Sequence, residues 1–244
     1  MFELTNKVAI VTGATSGIGK AVARAYIKMG AKVALVARDT TKLVETEKEF
    51  GDAALAVSCD VTNEASVASM VALVMKKWGR IDVAVCNAGI VTLAKLCDMP
   101  VEEFESVQKT NVTGVFLVAR TCAKEMKSGG SIIVTASMSG HVVNTPQDIG
   151  HYCASKGAVL MLTKALAIEL APRNIRVNSI SPGYIMTELV EPLTDYHAIW
   201  KPRIPLGRLG KPDELTGLFI YLASDASGYM TGSDLIIDGG YTAI

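Results

Sequence analysis

Seven short runs of nearly unbroken apolar, often β-branched residues punctuate this chain, with longer amphipathic stretches between them. The runs are 7–12 (KVAIVT), 32–37 (KVALVA), 54–59 (ALAVSC), 81–86 (IDVAVC), 131–136 (SIIVTA), 175–180 (IRVNSI) and 234–239 (DLIIDG). Most lack the in-out alternation of a strand with one wet face, so they read as strands covered on both sides, the habit of parallel sheets. The intervening patterns predict helices at about 17–29, 41–50, 63–78, 101–126, 152–171 and 212–224. Several carry start signals: Asn63 ahead of Glu64, Pro100 ahead of Glu102 and Glu103, and Pro212 ahead of Asp213 and Glu214. Regular β-α-β alternation with right-handed crossovers builds an α/β doubly wound parallel sheet with helices on both faces. No repeat, low-complexity tract or Pro/Gly-rich linker divides the 244 residues, so a single domain over 1–244 is expected. Segment 183–211 is the longest stretch without clear periodicity. Inside a compact domain, an excursion of that length is expected to be a substrate-binding flap.

Composition narrows the partners. Half the residues are hydrophobic, enough for a substantial core and a subunit interface, and the net charge is zero. That balance carries no electrostatic footprint for nucleic acid or an anionic membrane. Charged residues interrupt every apolar stretch before it could span a bilayer. The opening MFELTNKVAIVTGATSG lacks both the cationic region and the long apolar core of a signal peptide, so a cytoplasmic location is expected. The five cysteines (Cys59, Cys86, Cys97, Cys122, Cys153) are odd in number and form no C-x-x-C, which fits reduced thiols. The three histidines show no ligand spacing with them, and no metal is expected.

TGATSGIG, residues 12–19, follows the first strand and opens the first helix. Gly13, Gly17 and Gly19, with Thr15, Ser16 and Ile18 among them, suit a tight turn that lets backbone approach a pyrophosphate at a helix N-terminus. A ligand-free βα turn could use the same residues, but the place after strand one favours a dinucleotide. At the end of the second strand a carboxylate would hold the ribose 2′-OH of NAD, whereas an arginine accommodates the 2′-phosphate of NADP. Ala37 and Arg38 stand there, and Asp39 lies two residues beyond Ala37. NADP(H) is therefore favoured, with NAD(H) possible.

HYCASKG, residues 151–157, sets Tyr152 and Lys156 four apart, on one face if helical. A tyrosine with an ordinary pKa of about 10 is a poor base near neutrality, and a nearby ammonium is expected to lower it. Ala154, Gly157 and Ala158 are expected to let that helix pack closely, though they could equally be ordinary helix-contact residues.

These features, together with Asp60-Val61 after strand three, Asn87-Ala88-Gly89 after strand four, Asn111, the Ser137 region, Ser181-Pro182-Gly183 and the ending TGSDLIIDGGYTA, occur in the order of the short-chain dehydrogenases/reductases. The chain resembles that family over essentially its whole length. The resemblance implies that the three glycines shape the pyrophosphate turn, that Asp60 and Val61 contact the adenine, and that Asn87 lines the cofactor cleft. It further implies that Lys156 binds the nicotinamide ribose, that Asn111 holds a water in a proton relay, and that Ile185 and Thr187 meet the carboxamide and phosphate. Tyr152 would transfer the proton.

The family's serine often lies thirteen residues before the tyrosine, which would select Ser139; ASMSG instead fits Ser137 as the active serine and Gly140 as the following glycine. Ser137 is the assignment made here, with Ser139 as a substrate contact. SMSGHVVNTPQ is polar where a lipid enzyme would be apolar, and it resembles the family's polyol and ketose-reducing branch, with Ser139, Asn144 and Gln147 available to substrate hydroxyls. Hydride transfer between NADP(H) and a small polyol–ketose pair is the expected function. The alternatives are a 3-oxoacyl thioester reductase and, less favoured, a non-catalytic dinucleotide sensor. The resemblance also implies a homotetramer, with a dimer as the lesser assembly.

Overall fold

All seven apolar runs enter one parallel sheet in the computed structural model, which describes residues 2–244. The strands are β1 (Val8–Thr12), β2 (Lys32–Ala37), β3 (Ala54–Ser58), β4 (Val83–Cys86), β5 (Gly130–Thr135), β6 (Ile175–Pro182) and β7 (Asp234–Ile237). They lie in the order β3-β2-β1-β4-β5-β6-β7, with Ile10 aligned to Ala34 on one side and Ala84 on the other. β1 and β4 are buried at every residue, which is why their sequences show no alternation.

Helices cover both faces: α1 (Gly17–Lys28), α2 (Thr40–Phe50), α3 (Glu64–Trp78), α4 (Val101–Gln108), α5 (Gly114–Glu125), α6 (Gly150–Leu170), α7 (Thr194–Trp200) and α8 (Pro212–Ala223). Their ends follow side-chain chemistry. Asn63 caps α3 by accepting the Ser66 N–H at 2.9 Å, and Gly79 ends it in the left-handed region at φ +73°. Glu214 accepts the Lys211 N–H at 2.8 Å at the start of α8. One core layer joins Ile10, Val36 and Val134 to Met70, Val118 and Val159; the other joins Val11 and Leu35 to Tyr26, Leu215 and Phe219. No helix among the described residues is long and apolar enough to cross a membrane.

One expectation needs correction. The predicted helix 101–126 is two helices joined by a π-helical turn at Lys109–Thr113, where Thr110, Val112 and Thr113 are β-branched and Asn111 bonds outward. The aperiodic segment 183–211 contains α7, too short to carry a visible period. A small core of its own, Met138, Tyr184, Trp200, Ile204 and Leu209, packs beneath it.

Candidate active site

The sheet reverses direction of growth between β1 and β4, and the crevice at their carboxyl ends is where such folds bind ligands. Thr12 ties that crevice together: its hydroxyl donates to the Val85 carbonyl at 3.1 Å and accepts the N–H groups of Asn87 and Ala88 at 2.9 and 3.0 Å. Asn87 donates from Nδ2 to the Thr12 carbonyl at 2.9 Å and accepts from the Thr135 hydroxyl at 3.2 Å. It thus lines the cleft and also fastens three strands to each other.

The glycine turn fits the group the sequence implies. Gly13 and Gly17 have φ of +67° and +50°, and a Cβ on Gly19 would lie 2.1 Å from the Gly13 carbonyl oxygen. No side chain can replace Gly19 without opening the turn. Ser16 stands at the N-cap of α1 with no side-chain cap bond, so its hydroxyl and the helix N-terminus remain available to an anion. Thr187 reaches the turn from the far side, since a Cβ on Gly17 would meet its methyl at 3.1 Å.

From the turn, a groove of about 280 Å³ runs past Thr15, Arg38, Asp60, Val61, Ala88 and Gly89. Asp39 also lines the groove, and its carboxylate caps α2, accepting the Lys42 N–H at 3.1 Å. Arg38 lines the groove, and no carboxylate among the described residues forms an ion pair with it. Asp60 accepts the Thr62 N–H and hydroxyl at 2.9 and 2.8 Å, which holds its carboxyl below the ordinary range, helped by the charge of Arg38.

A second cleft, about 240 Å³, adjoins the groove at Gly89 and Ile90 and gathers Ile18, Ser137, Ser139, Asn144, Tyr152 and Lys156 with Pro182, Gly183, Ile185 and Thr187. Ser137 leaves β5 in extended backbone and opens a 3₁₀ turn, Met138–Gly140. Gly140 lets that turn press onto α6, because a Cβ there would lie 2.9 Å from the Lys156 carbonyl. Both serines line the cleft and their hydroxyls bond at 3.1 Å, Ser137 donating to Ser139, but of the two it is Ser137 that favours the Tyr152 phenolate. Lys156 is 5% exposed and donates to the Thr135 carbonyl at 2.7 Å, with Nζ 5.4 Å from the Tyr152 ring centroid.

The expected lowering of the tyrosine pKa is reversed. Burial of the phenol end pushes Tyr152 up to about 12 despite the opposing pull of the Ser137 hydroxyl, and burial pushes Lys156 down to about 8. Desolvation disfavours phenolate and ammonium alike, and here it outweighs their attraction. At neutral pH the site holds a protonated phenol beside an ammonium. That is a proton donor in place, next to the charge that would stabilise the anion it leaves behind.

Asn111, at the π turn, donates from Nδ2 to the Ile90 carbonyl at 2.9 Å and to Ser155 Oγ at 3.0 Å, and accepts the Ile90 N–H at 2.8 Å. It fastens the loop after β4 to α6 directly beside Gly89 and Lys156. Ala154 and Ala158 are exposed, so any close packing they allow lies on the outer side of α6, while Gly157 approaches the Ser137 turn. Sequence reasoning missed Thr12 and Thr135 as anchors and Tyr184 as a cleft residue. Thr135 shares the parity of Ser137 on β5, and Tyr184 directly follows Pro182-Gly183, which were the available signals.

Residues 13–242 match the family model described as enoyl-(acyl carrier protein) reductase. A sorbose reductase of Schizosaccharomyces pombe is 41% identical over 99% of this chain and 98% of its own length. An NADP-dependent mannitol dehydrogenase of Alternaria alternata is 40% identical, over 99% and 94% respectively. The crystal structure of a short-chain type dehydrogenase/reductase from Mycobacterium marinum superposes with a TM-score of 0.98 at 58% identity, covering 100% of this chain and 98% of that one.

Proposed function

This chain belongs to the short-chain dehydrogenase/reductase family, and from that premise we propose that it is an NADP(H)-dependent oxidoreductase interconverting a small polyol and its ketose. The observation that carries the reading is the meeting of Ser137, Tyr152 and Lys156 in one cleft that opens into a groove lined by Arg38. The names of the sorbose reductase and mannitol dehydrogenase relatives support the substrate class. They favour it over an oxoacyl thioester.

The cofactor would be held by the Gly13–Gly19 turn, Arg38, Asp60, Val61, Asn87 and Lys156, with Ile185 and Thr187 closing on it from segment 183–211, which we read as the substrate flap. When bound, its nicotinamide supplies the hydride that a carbonyl carbon accepts. Ser137 donates a hydrogen bond to the carbonyl oxygen, and Tyr152 delivers its phenolic proton to that oxygen as negative charge develops. The ammonium of Lys156 stabilises the phenolate formed at that moment. Running the steps backwards oxidises the alcohol, with the phenolate as base. Absorbance of NADPH and NADH, followed against a panel of ketoses, diketones and oxoacyl thioesters, tests the reading; turnover confined to thioesters would overturn it.

The cofactor preference gives a sharper test. Wild type is expected to show a lower KM for NADPH than for NADH, because Arg38 offers the ribose 2′-phosphate a guanidinium while the Asp39 carboxylate is engaged in capping α2. Ala37→Asp should place a carboxylate against the 2′-phosphate and reverse the order. A wild-type KM lower for NADH would refute the assignment to Arg38.

The same reading includes a homotetramer in the cytoplasm. All five cysteines are free thiols, which supports a reducing compartment. The outer face of α6 exposes Ala154, Ala158, Met161, Ala165 and Ile168, an apolar seam at helical spacing with Met161 64% and Ile168 79% exposed. Val101, Phe104 and Phe116 are exposed on α4 and α5, and Ile236 on the edge strand β7. Surfaces of this kind mark association. Light scattering at micromolar concentration should give about four times the 25.8 kDa of one chain, and a stable monomer would exclude the assembly.

A further inference from the structure

Two residues that line the catalytic cleft each carry a buried polar atom with no hydrogen-bond partner: Asn144 at Oδ1 and Trp200 at Nε1. Each residue is only 1% exposed. Both touch Tyr184. Asn144 Nδ2 donates to the Tyr184 hydroxyl at 3.1 Å, and the Trp200 ring stacks on the Tyr184 ring at 4.1 Å between centroids and 11° between planes. The Tyr184 hydroxyl gives its only proton to Gln147 Oε1 at 2.9 Å, and burial keeps that phenol protonated far beyond the ordinary range. With its proton so committed, Tyr184 can only accept from Asn144. That turns the amide nitrogen of Asn144 towards Tyr184 and leaves the amide oxygen as a bare acceptor. The indole N–H of Trp200 is a donor and nothing else. Its ring cannot turn freely, being stacked on Tyr184 and also, at 5.4 Å and 23°, on Tyr196.

A fixed acceptor and a fixed donor, both dry, are costly unless a ligand satisfies them. A hydroxyl both donates and accepts, so it answers both atoms; a carbonyl answers only the donor, and a methylene neither. We propose that Asn144 Oδ1 and Trp200 Nε1, oriented through Tyr184, form a subsite that reads hydroxyl groups on the substrate away from the reacting carbonyl. The inference rests on the polyol–ketose reading above and adds Trp200, and the orienting role of Tyr184, to the Asn144 contact expected from the sequence. Trp200 is then a specificity residue delivered by α7, and Tyr184 and Gln147 are positioning residues.

The test uses the full-length enzyme with NADPH, and D-fructose or L-sorbose against 2,3-butanedione, a carbonyl substrate without hydroxyls. Trp200→Phe keeps an aromatic ring and removes the N–H. It should raise KM for the ketoses about tenfold while kcat stays within about twofold and the diketone KM is unchanged. Tyr184→Phe, which frees the Asn144 amide, should shift the same ratio in the same direction. A KM rise of equal size on ketose and diketone would mean a merely structural role, and no rise on either would mean no contact; both overturn the proposal. Binding gives a readout free of turnover. The chain has two tryptophans, so Trp78→Phe leaves Trp200 as the sole indole emitter. D-mannitol should change its emission, and an unchanged spectrum at saturating polyol overturns the subsite. Wild type that reduces the diketone but no ketose would sink the polyol reading alone, with the emission experiment still deciding whether hydroxyls reach Trp200.

Discussion

Tyr152→Phe should cost about 10²–10⁴ in kcat for carbonyl reduction while leaving the melting temperature and NADPH affinity near wild type. The substitution removes one oxygen and keeps the ring, so the packing of α6 against the Ser137 turn survives. What disappears is a proton donor held in place beside the carbonyl oxygen, worth roughly 3–5 kcal/mol of transition-state stabilisation. The phenol sits at about 12 in this structure and is fully protonated at neutral pH, so reduction needs no prior ionisation. Oxidation of the alcohol needs the phenolate and should therefore climb as pH rises through the alkaline range. A Tyr152→Phe enzyme that keeps more than about a tenth of wild-type kcat would exclude this residue as the proton-transfer group.

Lys156→Met should lose rate and cofactor together, and should do so without loss of stability. The ammonium sits at about 8, below the ordinary 10.5, because burial disfavours its charge. Between those two values the unfolded chain binds the proton more readily than the folded one, so wild-type stability rises with pH across that window. Below about 8 the charge is buried at full cost, roughly 3 kcal/mol for a shift of this size. Methionine removes that cost, offset in part by the Thr135 carbonyl it leaves unpaired. The melting temperature at pH 7 should hold or rise. Activity should fall steeply, since the forming phenolate loses its ammonium, and NADPH should bind about tenfold or more weakly for want of a charged donor. Wild-type reduction should decline as pH passes about 8 and the ammonium is lost, an inflection absent from Lys156→Met. An unaltered pH profile in the variant would assign the inflection elsewhere. Lys156→Arg should not restore activity, because a broad planar fork does not fit where a compact ammonium does.

The sheet was legible because strands buried on both faces must be apolar throughout, and nothing else in a chain of this size repeats that way. The place of the Gly13 turn after β1 and of Ser137 after β5 followed from the same alternation, but the order of the strands in the sheet did not. What escaped depends on the third dimension. A π turn keeps nearly the spacing of an α-helix, so residues 101–126 read as one element. Two residues four apart say that Tyr152 and Lys156 can meet, but nothing of how much water surrounds them, and water decided the direction in which their proton affinities moved. Trp200 and Tyr184 are sixteen positions apart in a stretch without period, and only the packing beneath α7 stacks them.

The single wide turn at Lys109–Thr113 makes the site sensitive to counting. An α-helix advances about 100° per residue, and a π turn is an α-helix that has absorbed one residue more than its ladder needs. Removing any one residue from the turn would restore an unbroken helix from Val101 to Glu125. The flanking faces would keep nearly their present relation, because the wide turn takes up its extra residue locally, but the side chains the turn thrusts outward would be drawn back into the α-helical ladder. Asn111 would let go of Ile90 and Ser155, and the loop bearing Gly89 would lose its tether to the helix of Tyr152 and Lys156. On this stretch the length of the chain, more than the identity of its residues, is what natural variation must leave untouched.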